Sequence, residues 1–510
     1  MKASPSASRP LSVALLLLAL LAGHAQTPTL GVIYNLPGTD PGFVLFSPLT
    51  ITNTYLINKQ GQVLHVWHSA YLPGLVAYLR PDGKLIRAAK DHPPGNDPFG
   101  PTTDAGGMGG RVERLAWDSM VEWSWLICDS KQRQHHDVCP LPNGNVVMSI
   151  WVPKTPAEMA AAGRNTTWTG ATNLNLEKVI EVRPTGTNQA TVVWEWQPWD
   201  HLIQDYNPSA KNFGNVAAHP ELIDFNYGRR TGPNHEVINV NAIHYNAKLD
   251  ELMLESRWYG EVWVVDHSTT TAEAAGHTGG RRGKGGDLLY RWGNPATYHA
   301  GTTDDQVLFQ SHEGKWIEPG LPGSETGDVT VFDNGTYRPG GPRYSRLVQF
   351  TPPLQPDGSY AMITNSFATN GVYGPASYNW ICPSNPAPDF FAFNQGGCTR
   401  LPNGNTLSCL GPEGYFVEWT PLGDRVWGYQ SPVGGETRNH ILSQGQRTRM
   451  NANVWKVISY PTNYIGFQGH DLTPQGVLEL PRPPGNSARP DKSVTPKIDG
   501  VGPPPEPPSL

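Results

Sequence analysis

The 510-residue chain carries 38 Lys and Arg against 44 Asp and Glu, a formal charge of −6. That balance excludes any general attraction for nucleic acid or acidic membranes. Only 16% of residues are charged, while Trp numbers 17 and Tyr 19; this profile excludes intrinsic disorder and suits an exported β-protein with aromatic-lined surfaces.

The first 25 residues read as a secretory signal, with Lys2 and Arg9 as a basic region, Leu11 to Leu21 as an apolar run, and Gly23-His24-Ala25 as a small-residue cleavage site. The apolar run is short for a membrane span, so an uncleaved anchor is the weaker reading. Cleavage removes two cations and no acids, taking −6 to −8. The expected mature protein is periplasmic or extracellular, with no membrane insertion.

A short strand ending in an aromatic residue then recurs along the chain. Its copies are Gly61 to Trp67, Val121 to Trp125, Val192 to Trp196, Leu288 to Trp292, Tyr344 to Phe350 and Gly423 to Tyr429. Repetition of one supersecondary unit predicts a ring or array. Between the copies run short apolar/polar alternations broken by turn residues. Helical signals are few: Pro156 to Gly163, and a possible turn in His219 to Asp224. The motif Leu-Pro-Asn-Gly-Asn occurs at 141–145 and again at 401–405, and its Asn-Gly predicts type I′ hairpins.

An all-β repeat of this length manages its sheet edges by radial repetition. The expectation is a six-bladed β-propeller over 30–480 with inserted loops on one face; a pair of β-sandwiches is the alternative. Val454 onward, with VWKVISY and LTPQGVLEL, is expected to close the ring. The Gly-rich stretch Ser268 to Asp287 holds Arg281, Arg282 and Lys284, but Gly285 stands where a phosphate loop needs Ser or Thr. It reads as a flexible exposed loop. Residues 481–510 are Pro-rich and read as a disordered tail.

All five cysteines lie in the exported part, where disulfides persist. Cys398 and Cys409 are equidistant from Asn403-Gly404, so a cross-hairpin disulfide is expected. Cys128 and Cys139 share that separation with poorer turn chemistry between them, and Cys382 is left over. No Cys/His spacing points to zinc.

Propeller sites sit at the channel mouth, which makes loop-borne His, Arg and Asn the candidates. His135-His136-Asp137 precedes the first LPNGN; adjacent strand residues face opposite ways, so at most one His faces the channel. His136 reads equally as a channel ligand or a blade-to-blade contact. Gln310-Ser311-His312-Glu313 offers an acid/base or nucleophile. Arg338, after Asp333-Asn334-Gly335, offers a planar fork for an oxyanion. Asn394-Gln395-Gly396-Gly397 is a polar loop before the second LPNGN.

Together these stretches resemble the bacterial arylsulfotransferase family. The resemblance runs through Pro41 to Trp67, HHDVCPLPNGNVV, KTPAEMAAAGR, Val192 to Asp224, Trp263 to Pro295, DNGTYRP, the second LPNGN and GHDLTPQG. It implies a six-bladed propeller that moves a sulfuryl group from an aryl sulfate to a phenol, without the nucleotide donor PAPS, through a sulfated histidine. No cofactor is implied, a channel metal is left open, and the partners are the small aryl sulfate and phenol. Carried over by position, the resemblance places catalytic roles on His312 and Arg338. It places two further family histidines at Asn239 and Asn394, and asparagine cannot form a sulfo-histidine. A divergent member that only binds an aromatic or anionic ligand, with Arg338 and the channel aromatics, is the alternative; His136, Asn239 and Asn394 are the expected binding positions. Oligomeric state is left open.

Overall fold

A computed structural model of the chain describes residues 27–91, 98–99, 107–168, 173–227, 235–364, 371–435, 440–448 and 452–483. The signal, and the tail beyond 483, lie outside the described residues. The expected six-bladed propeller is what forms.

Six four-stranded antiparallel sheets follow one another along the chain. Blade 1 contains Phe43–Pro48, Thr54–Ile57 and Val63–Trp67; its innermost strand, Val454–Tyr460, comes from the far end of the chain. Blade 2 runs Pro73–Leu79, Leu85–Lys90, Gly110–Leu115 and Val121–Leu126. Blade 3 runs Arg133–Pro140, Val146–Lys154, Leu174–Thr185 and Gln189–Trp196. Blade 4 runs Val240–Asn246, Glu251–Ser256, Glu261–Asp266 and Tyr290–Trp292. Blade 5 runs His312–Trp316, Val329–Asp333, Arg346–Phe350 and Trp380–Cys382. Blade 6 runs Gly397–Arg400, Thr406–Leu410, Tyr415–Trp419 and Arg425–Gln430, and gains Gly31–Asn35 as a fifth, outer strand. Val454–Tyr460 therefore sits between the first strands of blades 2 and 6 and closes the ring. LTPQGVLEL adds no strand, only isolated bridges at Val477 and Leu480.

The aromatic repeat has a structural reason. In every blade the fourth strand from the channel carries a Trp that reaches the connection between strands three and four of the next blade. The indole N–H of Trp123 donates to Gln189 O at 2.8 Å, and that of Trp196 to Gly286 O at 2.7 Å. Trp292 donates to Pro375 O, Trp380 to Pro421 O and Trp427 to Lys59 O, each at 2.9 Å. Trp67 instead packs edge-on against Trp117, with ring centroids 5.0 Å apart. The blade 5 copy was misplaced by sequence reading. Phe350 ends the third strand and stacks on Trp292 at 3.9 Å, while the clasp is supplied by Trp380.

Other expectations need correction. In both LPNGN turns the Gly N–H donates to the Leu carbonyl three residues back, and only Gly144 and Gly404 have positive φ, each 90°. Pro at the second turn position and a left-handed Gly at the fourth make a type I turn with a Gly bulge, not type I′. That moves the register by one. Cys398 pairs with Ser408, and Cys409 with Gly397. Neighbouring strand residues face opposite ways, so Cys398 enters the core shared with blade 5 and Cys409 the core shared with blade 1. All five cysteines are free thiols. The stretch 268–287 is ordered: a short helix, Thr271–Ala274, carries a Thr270/Glu273 capping box, and Arg282 pairs with buried Glu251 at 2.7 Å. The expected helix near 156–163 forms as Pro156–Ala161, capped by Thr155 and Glu158. The possible turn in 219–224 forms at its start, where Leu222 N–H donates to His219 O at 3.0 Å, and a 3-10 turn, Val216–Ala218, comes just before it.

Two measurements check this account. Trp123→Phe strands the Gln189 carbonyl and should cost about 1–3 kcal/mol in urea unfolding. Trp67→Phe should cost less, because the Trp67 indole N–H has no partner among the described residues; equal costs would contradict the clasp. Titration of the unfolded, unreduced protein should find all five thiols, and a count of three would restore the disulfide.

Candidate functional site

The innermost strands enter the channel at the same end as the connections between strands two and three. Non-glycine residues with left-handed backbone there include His136 at φ 49°, Asn239 at 59°, Gln310 at 55° and Gln395 at 58°. They lie at the inner strands of blades 3, 4, 5 and 6. Such φ values are rare outside glycine and persist where surrounding structure imposes them. Hydrogen bonds hold these entries in place. His136 N donates to Gly107 O at 2.7 Å, and Arg257 N to Asn239 O at 3.1 Å. Gly107 is left-handed, and a Cβ there would fall 2.3 Å from the His136 ring, so only Gly fits over that imidazole.

His136 and His312 converge on one side chain, Trp455 of the closing strand. Their ring centroids lie 5.3 and 5.1 Å from the indole. His136 Nδ1 is 2.7 Å from His135 Nδ1, and His135 stacks on Trp151 at 4.5 Å. His136 Nε2 makes no hydrogen bond among the described residues. His312 is tied at both nitrogens: Nδ1–H donates to Asn334 Oδ1 at 2.6 Å, and Nε2 accepts from Gln395 N–H at 3.2 Å. Asn334 in turn donates to the carbonyls of Ala392 and Gln395, clamping the loop that contains Asn394.

Arg257 supplies the positive charge. It follows the second strand of blade 4, and its Nη2 donates to Gln310 Oε1 at 3.0 Å. Its Nε is buried without a partner, and among the described residues no carboxylate pairs with it. Burial, then the Arg257 charge, pushes His136 down to about 3 and His312 well below the usual histidine range. Both imidazoles are neutral at physiological pH. Neutral imidazole is a competent nucleophile and proton acceptor.

The remaining sequence candidates sit differently. Arg338 is held away from this cluster: its guanidinium pairs with Asp333 at 2.7 Å, donates to Tyr344 O and lies over the Tyr344 ring at 4.6 Å. Asn239 is buried between two acids; its backbone N–H donates to Glu177 at 2.8 Å and its side-chain amide to Glu236 at 2.6 Å. Burial, with Glu236 nearby, holds the Glu177 carboxyl well above its usual range. Asn394 is half-buried, and its Oδ1 has no partner among the described residues. Sequence reading missed Arg257 and Trp455. Arg257 had one faint signal, a cation in Arg257-Trp258-Tyr259-Gly260 directly after a strand. Trp455 had none, because only ring closure brings the chain end to the channel.

Beneath the imidazoles lies a buried charge layer. Lys456 Nζ is 3.1 Å from Asp137 and 3.6 Å from Glu313, and Tyr78 donates to Asp137 at 3.0 Å. Burial opposes the Lys456 charge, yet Asp137 and Glu313 hold its pKa above the ordinary value. On the blade 4 side, Ser311 donates to buried Glu255.

No family model matches the chain, and no curated protein matches it. Solved structures do. A protein of unknown function from Bacteroides caccae shares 10% identity over 82% of this chain and 99% of its own, at a TM-score of 0.40. A functionally unknown protein from Desulfotomaculum acetoxidans shares 9% over 82% and 98%, at 0.36. Virginiamycin B lyase from Staphylococcus aureus shares 8% over 77% and 86%, at 0.32. Likeness at these values carries no functional argument.

The Glu255 carboxyl has a measurable consequence. Burial raises its pKa from 4.5 to about 8. Between those values the folded protein holds a proton that the unfolded chain releases, so stability falls as pH rises through that window. Glu255→Gln keeps an acceptor for Ser311 and removes the titration. It should stabilise the protein at pH 8 by roughly 1 kcal/mol or more, and hardly at pH 4. Urea unfolding at the two pH values checks this; equal effects at both would place the titration elsewhere.

Proposed function

We propose that the channel binds an aryl sulfate and transfers its sulfuryl group to a phenol without a nucleotide donor. The observation that carries this reading is Arg257: a buried guanidinium with no carboxylate partner among the described residues, beside two neutral imidazoles and an indole. Glu236 offsets part of this charge, and the buried cation that remains is best matched by an anion. Arg257 donates to the sulfuryl oxygens, and Trp455 offers an apolar wall for the aryl ring. In the first half-reaction an imidazole nitrogen forms an N–S bond as the S–O bond to the aryl oxygen breaks, and the phenolate leaves. In the second, the acceptor phenol attacks sulfur, releases the imidazole and gives up its proton to a base. Cationic donors aimed at the equatorial oxygens lower such barriers.

The open Nε2 makes His136 the nearer sulfuryl acceptor. His312 acts as such only after its bond from Gln395 N–H breaks. The second reading, binding without turnover, is favoured by that same bond and by asparagine at 239 and 394, where the family resemblance places histidines. The export signal suits either reading, since no cytoplasmic nucleotide is required.

Release of p-nitrophenol from p-nitrophenyl sulfate in the presence of phenol tests the proposal. Turnover is expected, with Arg257→Ala lowering kcat/KM by about 10²–10³-fold and His136→Ala abolishing it. Turnover that survives in His136→Ala but not in His312→Ala would transfer the nucleophile role. Calorimetric binding of the sulfate without turnover, lost in Arg257→Ala, would select the binding reading. Absence of both would overturn the site.

A further inference from the structure

Away from the channel, blades 3 and 4 bring together three metal-ligating side chains. His201 ends the 3-10 turn Pro198–His201 that follows blade 3; His277 and Asp287 belong to the ordered insertion before the last strand of blade 4. His201 Nδ1 lies 2.8 Å from Asp287 Oδ1, and His277 Nδ1 lies 2.7 Å from the same oxygen. The three ligand atoms all lie within 4.8 Å of one another.

The His201 tautomer makes the cluster informative. His201 Nε2 is 2.8 Å from Ala274 O. A carbonyl only accepts, so Nε2 carries the proton. In neutral His201 the Nδ1 lone pair then faces a carboxylate oxygen, and two acceptors at this distance repel. A positive centre must lie between them. A second proton on a fully buried ring, stacked near Trp196, is one solution. A metal ion is the other, and it also accounts for the second imidazole aimed at the same oxygen.

We propose that His201, His277 and Asp287 bind a divalent metal ion of zinc type, which clips the 268–287 insertion to the end of blade 3. Two imidazoles and one carboxylate are a zinc-competent donor set, with a fourth position left for water. The His201–Ala274 contact is the kind of outer bond that fixes a ligating imidazole's orientation. Tetrahedral zinc spaces its ligand atoms about 3.3 Å apart, so the cluster opens slightly on binding; the exposed His277 ring is free to swing. The Asp200 carboxyl, which feels both imidazoles, adds negative charge nearby. This inference is independent of the channel chemistry.

The test uses the full chain, purified without a histidine tag, stripped with chelator and titrated with zinc chloride. Expected are about one zinc ion bound per chain and a rise of several degrees in melting midpoint at about hundredfold excess over Kd. Both should vanish in His277→Ala, whose side chain is exposed and whose loss leaves the fold intact. Asp287→Asn should weaken binding in the same assay. Zinc binding that is absent, or unchanged in His277→Ala, overturns the proposal. So does a midpoint that zinc does not move, with His201 found doubly protonated by NMR.

Discussion

Each blade gives an indole to the next, and the ring depends on it. Five of these indoles donate to a backbone carbonyl in the neighbouring blade's outer connection, and the sixth packs on Trp117 there. Burying an aromatic of this size contributes strongly to packing, and the polar edge finds a partner at the same time. Because the contact repeats around a circle, it sets the angle between successive sheets. The C-terminal strand Val454–Tyr460 then completes blade 1 and removes the open edge that a linear array leaves.

Ring closure also assembles the interior. Val454–Tyr460 brings Trp455 to the mouth and Lys456 one step further into the channel, between Asp137 of blade 3 and Glu313 of blade 5. A buried lysine is costly unless carboxylates surround it, and these two carboxylates sit directly after His136 and His312. In each pair the imidazole meets Trp455 while the next residue meets the lysine. The strained entries at His136, Asn239, Gln310 and Gln395 are thus held by contacts from neighbouring blades, which is where backbone strain is usually maintained.

The electrostatics of the mouth follow from this arrangement. Desolvation keeps both histidines uncharged, and Arg257 reinforces that by repulsion. The guanidinium is left as the positive charge acting on both histidines, offset in part by Glu236. Arg338 plays a different part, because Asp333 lies against it and against Arg346. A cation with a carboxylate in contact is already neutralised. A guanidinium that donates to an amide oxygen, with no carboxylate in contact among the described residues, still attracts an anion.

The sequence by itself determined the architecture. Aromatic-ended strands, Gly-bearing turns and the strand at 454–460 are local patterns, and each formed near its expected place. It also indicated His136 and His312, since polar residues at the head of an inner strand point to the channel. Only the tertiary structure decided what those patterns do. A one-residue register difference, set by a type I turn in place of type I′, separated Cys398 from Cys409 and left both as thiols. Trp380 replaced Phe350 as the blade 5 clasp, because strand order within a sheet is not written in spacing. Arg257 and Trp455, nearly 200 residues apart in the chain, came to act on the same two imidazoles only when the ring closed. Periodicity is read from neighbours in sequence; a site in a closed ring is built from neighbours in space.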